Sequence, residues 1–341
     1  MKNKNKLIGV NLGGWLVLEK LITPSIFETY GADDEYSLLM KMPKNAIRDH
    51  YKNFITEEDF QFLANIGINT IRIPFGYWIF GDFPPFEKNI QYLDFAFDMA
   101  EKYGLKILLD LHGAPGSQNG YDHSGRIGDI NWDKDPKNVV STLDIIEKIS
   151  KRYAERKALF GIELLNEPHI SIDINFLKAF YNDAYKLIRR ICGNEVAVVI
   201  SDSFRPYEFK DFMPFPEFTN VILDSHFYQC FSDDFRKIKF NAFLKRGKSE
   251  WSNTIKIIQK TIPVISGEWS LVIDCLNFNE KLSDESYLVK KVSKKYKDYK
   301  KMQCNVFNKS AGWFFWTYKT EDKVNWGWNF RKLVENGLFL I

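Results

Sequence analysis

The 341-residue sequence contains no run of 18 apolar residues, which excludes a transmembrane helix of ordinary length. Its four cysteines, Cys192, Cys230, Cys275 and Cys304, form no C-x-x-C pair, so they encode neither a zinc site nor a redox pair, and they are too few for a disulfide framework. Charge of one sign is also lacking. Forty-seven Lys and Arg against 44 Asp and Glu leave +3, too little to imply nucleic acid or an anionic membrane as partner. No internal repeat, low-complexity tract or linker divides the chain. The G-x-G-x-x-G turn of an open dinucleotide-binding sheet is missing too, since Gly13-Gly14 is followed by Trp15. Aromatic side chains, by contrast, are abundant: 29 Phe, 16 Tyr and 9 Trp make up 16% of the residues. Nine indoles each bring an N–H that needs a partner when buried, so either many rings line a binding surface or the core is unusually aromatic.

Lys2, Lys4 and Lys6 precede a short apolar run, Leu7–Val10, that faintly mimics a secretory leader. Asn11, Gly13 and Gly14 interrupt it and no small-residue cleavage site follows, so the chain as written is expected to be cytoplasmic, or secreted if a leader has been trimmed. Lys290, Lys291, Lys294, Lys295, Lys297, Lys300 and Lys301 recur at helical spacing and are expected to form a solvated face. A monomer is the expected state.

Short β-branched or apolar runs alternate with longer helical stretches. Strands are expected at Leu7–Leu12, Thr70–Phe75, Lys106–Leu111, Phe160–Leu165, Val196–Ser201, Asn220–Ser225, Pro263–Ser266 and Gly312–Trp316. Several are nearly continuous apolar runs, as parallel strands covered on both faces require. Helices are expected after Thr56, where Thr56-Glu57-Glu58-Asp59 resembles a capping box, and over Ile90–Tyr103, Val139–Ala154 and Asn175–Cys192. Eight strands alternating with helices predict an α/β fold, a single (β/α)8 TIM barrel over residues 1–341 with elaborated loops at the C-terminal face of the strands. A barrel's chemistry sits at that face. The polar residues there are Asn11 and Glu19 after the first strand, Arg72 in the second, and Asp110 and His112 in or after the third. Asn166-Glu167-Pro168 follows the fourth, His226 and Tyr228 the sixth, Glu268 the seventh, and Trp316 closes the eighth. Any one of them has an ordinary explanation, a helix cap or a satisfied core histidine. Together they place two glutamates across one pocket, the requirement of glycoside hydrolysis, in which one carboxyl donates a proton and the other attacks or activates water. Arg72, between Ile71 and Ile73, is a buried cation that needs a carboxylate, and Glu268 is the natural candidate. No H-x-H or similar ligand set appears, so neither a metal nor another cofactor is expected.

The segment Gly161-Ile162-Glu163-Leu164-Leu165-Asn166-Glu167-Pro168 resembles the acid/base strand of glycoside hydrolase family 5, the retaining barrels of the cellulase superfamily. The blocks GVNLGGWLVLE (9–19), ITPSIFE (22–28), LDLHGAPGSQNG (109–120), DSHFYQCF (224–231), GEWS (267–270) and GWFFWTYKTE (312–321) are similar to the exo-β-1,3-glucanase type within it. This resemblance implies release of glucose from the non-reducing end of a β-glucan. It makes Glu167 the general acid/base and Glu268 the nucleophile. Asn166 would hold the sugar 2-OH, Arg72 would keep Glu268 ionised, and His112, His226 and Tyr228 would orient the nucleophile and sugar hydroxyls. Trp316 would face the pyranose ring, Glu19 would bind hydroxyls at the chain end, and Phe231 and Tyr121 would grip the next sugar, with Asp122 beside them in the substrate site. The implied partner is a β-glucan oligosaccharide or polysaccharide. Alternatives within the same chemistry are β-1,4- or β-1,6-glucans, small β-glucosides, and endo or transglycosylating action; outside it stands a non-catalytic glucan-binding barrel. Two departures from the family pattern concern the pocket mouth: Glu19-Lys20-Leu21 in the first loop, and Tyr121-Asp122-His123-Ser124-Gly125 where FDNSG is usual.

Overall fold

A computed structural model describes residues 6–275 and 285–340. Eight parallel strands close on themselves in sequence order: β1 (Leu7–Asn11), β2 (Thr70–Gly76), β3 (Lys106–Gly113), β4 (Leu159–Glu163), β5 (Ala197–Ser201), β6 (Val221–His226), β7 (Val264–Glu268) and β8 (Gly312–Phe315). Closure is made by β1, whose Gly9 is opposite Thr70 of β2 and Phe314 of β8. The expected barrel is the observed one, with strand bounds shifted by one or two residues. The shift matters in β7. That strand runs on to Glu268, opposite His226 of β6, so Glu268 is held by the sheet rather than by a loop.

Side chains alternate across each strand, and the alternation separates two chemistries. Ile71 and Ile73 of β2 point outward into the main core, packed under the helices, while Arg72 between them points into the barrel. The lower interior is apolar, filled by Leu7, Leu108, Val199, Ile222, Ile265 and Phe314. One pleat up along β3, β4 and β6, the inward positions are Asp110, Glu163 and Asp224, all fully buried. The floor of the site is therefore charged and rests on an apolar plug.

Local signals decide the helix ends. The helix Ile90–Tyr103 stops at Gly104, in the left-handed region at φ 71°. Asp135 and Asp173 cap the helices Pro136–Tyr153 and Ile174–Cys192 by accepting backbone N–H bonds, so both begin slightly earlier than hydrophobic periodicity alone indicates. Asp59 accepts from the Thr56 backbone N–H at 2.8 Å, the capping contact expected there. On the helix Glu285–Phe307, Lys294, Lys297 and Lys301 are exposed opposite buried Val292, Tyr296 and Tyr299; the side chains of Lys290 and Lys291 lie outside the described residues. All four cysteines are free thiols. No helix among the described residues is long and apolar enough to cross a membrane.

Candidate active site

Arg72 is the centre from which the site is built. Its Nε donates to Glu163 Oε2 at 2.8 Å, Nη1 to Asn11 Oδ1 at 2.9 Å and Glu268 Oε1 at 3.1 Å, and Nη2 to Asn166 Oδ1 at 2.8 Å, 3.1 Å from Asp110 Oδ2. The expected pairing with Glu268 is present, but one guanidinium is divided among three carboxylates. Burial works against its charge, yet Asp110, Glu163 and Glu268 outweigh that cost and hold it protonated well beyond the ordinary arginine range. Only arginine's fork of donors reaches so many acceptors from one position.

Asn166 is oriented from both sides. Burial pushes His112 down to about 4, so its ring is neutral. Its Nδ1–H donates to Asp110 at 2.6 Å, leaving Nε2 to face the Asn166 amide nitrogen at 3.4 Å. With Oδ1 on Arg72, the amide group of Asn166 has a single orientation. Gln118 sits behind this pair, donating to the carbonyls of His112 and Asn166 at 2.8 and 2.9 Å, and Asn119 donates to the Glu167 carbonyl at 3.2 Å. The Gln118-Asn119 block is thus a buried clamp between the β3 and β4 loops. Glu167 itself has φ 43°, in the left-handed region, a strained conformation held by these contacts.

The two glutamates meet at His226. Its Nδ1 lies 2.5 Å from Glu167 Oε1 and 3.5 Å from Glu268 Oε2, and its Nε2 lies 3.5 Å from Asp224 Oδ2. Tyr228 donates to Glu268 Oε2 at 2.9 Å. Burial disfavours the imidazolium, but Glu268, Asp224 and Glu167 raise His226 well above its usual range, so it is charged at neutral pH. Burial also opposes charge on Glu167, yet the His226 contact pulls that carboxyl down to about 2. Glu268 is pushed up to about 7 by burial and the charge of Glu167, against the pull of His226 and Arg72. Oxygens of the two glutamates and a His226 ring nitrogen all lie within 4.8 Å of one another, as do ligand atoms of Glu163, Asp224 and His226. Either triad offers a cation three donor atoms, in competition with the positive charges of Arg72 and His226 already there.

Above this floor opens a cavity of about 540 Å³. Of the site residues expected from the sequence, all but Arg72, Asn11 and Asp110 line it; Arg72 lies directly beneath, with Asn11 and Asp110 beside its guanidinium. Trp316 stacks on the His112 ring at 5.4 Å and 6°. Glu19 closes one side, its carboxyl pushed up by burial and by Asp122 and Glu268. Tyr121, Phe204 and Phe231 stand half-exposed or more at the mouth, Phe231 stacked 6.1 Å from Trp328. Phe204 was not marked by sequence reasoning; its signal is an aromatic two residues after the polar strand exit at Asp202. Asp110 stands at the face where the sequence places it, whereas Glu163 and Asp224 escape a sequence reading, because a single acid inside an apolar strand shows no partner locally. Two loop tryptophans stand apart from the cavity. Trp132, in the loop after β3, is fully buried, donating to Thr142 Oγ1 at 3.0 Å and packed edge-on to Phe180. Trp326 lies under the Lys332 ammonium, 5.2 Å from its ring centre, and does not line the cavity. A larger apolar cavity, about 690 Å³, opens at the opposite end of the barrel, where Lys6 is the one ionisable lining residue among the described residues.

The model of the cellulase family, glycosyl hydrolase family 5, matches residues 34–322. A glucan 1,3-beta-glucosidase from Blumeria graminis is 37% identical over 380 residues, covering 98% of this chain and 87% of the relative. One from Schwanniomyces occidentalis is 34% identical with the same coverage. Among solved structures, a rutinosidase from Aspergillus niger superposes with a TM-score of 0.80 at 20% identity over 98% of this chain and 97% of its own. XacCel5A in complex with cellopentaose gives 0.58 at 14% identity over 95% and 93%. At such identities the structural matches speak for the barrel alone.

Proposed function

This chain belongs to glycosyl hydrolase family 5, the cellulase family, and from that premise we propose that it is a retaining exo-acting hydrolase releasing glucose from the non-reducing end of β-1,3-glucans. The observation that carries the mechanism is the glutamate pair. Retaining enzymes hold their two carboxyl groups about 5–5.5 Å apart and inverting ones about 6.5–9.5 Å, to admit a water. Oxygens of Glu167 and Glu268 within 4.8 Å of each other favour retention.

In this reading Glu268 attacks C1 while Glu167 gives its proton to the departing glycosidic oxygen. Water then attacks the glycosyl–Glu268 ester, Glu167 takes its proton, and Glu268 leaves as carboxylate. Arg72 and Tyr228 stabilise that carboxylate through separate oxygens. Asn166, its amide fixed by His112 and Arg72, offers an N–H to the 2-OH. The proton count also fits. At rest the mobile proton sits on His226, 2.5 Å from Glu167 Oε1, and its transfer makes Glu167 the acid and leaves His226 neutral. Bound sugar, by expelling water, favours the neutral pair over the ion pair and drives that transfer.

The names of the relatives support β-1,3-glucan as substrate. The cavity supports exo action, because the buried Glu19 carboxyl meets polar hydroxyls at one side while the aromatic mouth grips the leaving sugar. The test is to follow laminaribiose and laminarin hydrolysis by proton NMR. β-Glucose should appear first and mutarotate later. Initial α-glucose overturns retention, and oligosaccharides without glucose overturn exo action.

A further inference from the structure

His123 lines the pocket and, like its neighbour Asp122, has no part in the mechanism above. It sits in the 3₁₀ turn Asp122–Ser124, which is tied by its own hydrogen bonds. Ser124 Oγ donates to the Tyr121 carbonyl at 2.8 Å, and Gly125 donates to the Asp122 carbonyl at 2.9 Å. Gly125 has φ 92°, and a Cβ there would come within 2.4 Å of Trp78. The turn aims the imidazole at Glu167: Nε2 lies 3.4 Å from Oε2, the carboxyl oxygen that His226 does not touch.

We propose that His123 is a second positioning imidazole for Glu167, holding Oε2 opposite His226 on Oε1 and helping to set the pH at which that carboxyl gives up its proton. This rests on Glu167 being the acid/base. Its ring meets His112 of β3 and Tyr121 of its own loop, each at 5.4 Å between centres. Among the described residues, Glu167 is the carboxylate within 4 Å of it, and Asp122, Glu19 and Glu268 are the other acids lining the same cavity.

The tautomer follows from the surroundings. His123 Nδ1 is buried with no hydrogen-bond partner, so a proton there would be an unpaired buried donor. The neutral ring therefore carries its hydrogen on Nε2, which faces a carboxylate oxygen. With His123 at Oε2 and His226 at Oε1, the carboxyl group is held from both of its oxygens and its rotation is restricted. His123 also stabilises the carboxylate more than the acid, because an N–H donor favours the charged form.

The experiment reads Glu167 directly. Carboxyl carbon-13 NMR, with the Glu167 signal identified by its loss in Glu167→Gln, follows its titration in the wild type and in His123→Leu, His123→Asn and His123→Gln. His123→Leu should raise the Glu167 titration by about half a unit or more. His123→Gln, which restores a donor, should recover at least half of that shift. An unmoved Glu167 titration in His123→Leu overturns the proposal; if that protein does not fold, an unmoved titration in His123→Asn together with wild-type values in His123→Gln does so. Wild-type failure to cleave any β-glucoside would overturn the proposed function, while the NMR titration would still decide whether His123 and Glu167 are coupled.

Discussion

Nδ1 of His226 lies 2.5 Å from Oε1 of Glu167, so the proposed acid rests beside a proton it does not yet hold. Glu268, at about 7, must be ionised to attack. Raised above its usual value, it is ready at pH above about 7 and is lost as nucleophile when pH falls below that. kcat/KM on laminaribiose should therefore decline on the acid side through about pH 7. Tyr228→Phe removes a donor from the carboxylate, so that limb should shift upward by about half a unit. A limb that stays in place in Tyr228→Phe would show that the tyrosine does not act on Glu268.

The two glutamates should fail differently. Glu167→Ala should slow laminaribiose cleavage by roughly 10²- to 10⁴-fold, the range of acid/base help, while an aryl glucoside with an acidic leaving group loses far less in its first step. Azide should then yield the β-glucosyl azide. Glu268→Gln should lose both substrates while still binding sugar. Equal losses on both substrates in Glu167→Ala would reverse or void the assignment.

Arg72→Met leaves Asp110, Glu163 and Glu268 without their shared cation in a buried site. Breaking such an arrangement from one side typically costs about 3–5 kcal/mol, and urea unfolding should register a loss of that order. Arg72→Lys should recover part of the stability but little of the activity, because one ammonium cannot reach Glu163, Asn166 and Glu268 together. Stability unchanged in Arg72→Met would mean that the acids below it are already neutral.

Glu35 is fully buried, accepts from the Leu18 N–H at 2.8 Å and from Tyr51, and is raised by burial to about 8. A carboxyl raised on folding binds more protons in the native state, so its contribution is intact below about pH 4.5 and is lost as pH rises toward 8. Glu35→Gln keeps both contacts and removes the titration. Its melting temperature should match the wild type near pH 4.5 and exceed it by several degrees at pH 8.5. Parallel curves across that range would contradict the buried, protonated state.

The abundance of rings divides between two places. Trp15, Trp78, Trp132 and Trp269 are fully buried, whereas Trp316 and Trp328 line the cavity with Tyr121, Phe204, Tyr228 and Phe231. Nothing in the local sequence around Trp132 distinguishes it from Trp328. Both sit in polar loops after strands, and only the packing of Phe176 and Phe180 against one of them takes it out of the site.

By itself the sequence determined the alternation of strand and helix, the helix Ile90–Tyr103 to the residue, and the exits where Glu167, His226 and Glu268 stand. These are local properties, written in periodicity, caps and short blocks. Tertiary structure decided which charges meet. Asp110, Glu163 and Asp224 lie far apart in the chain, and barrel closure brings them to one interior level around Arg72. The same closure sets His226 opposite Glu268, with Gly267 leaving room for the Asp224 carboxylate where a Cβ would lie 1.7 Å from its Oδ2. Where the proton rests is a property of that assembled cluster, because each group's charge depends on burial and on neighbours from other strands.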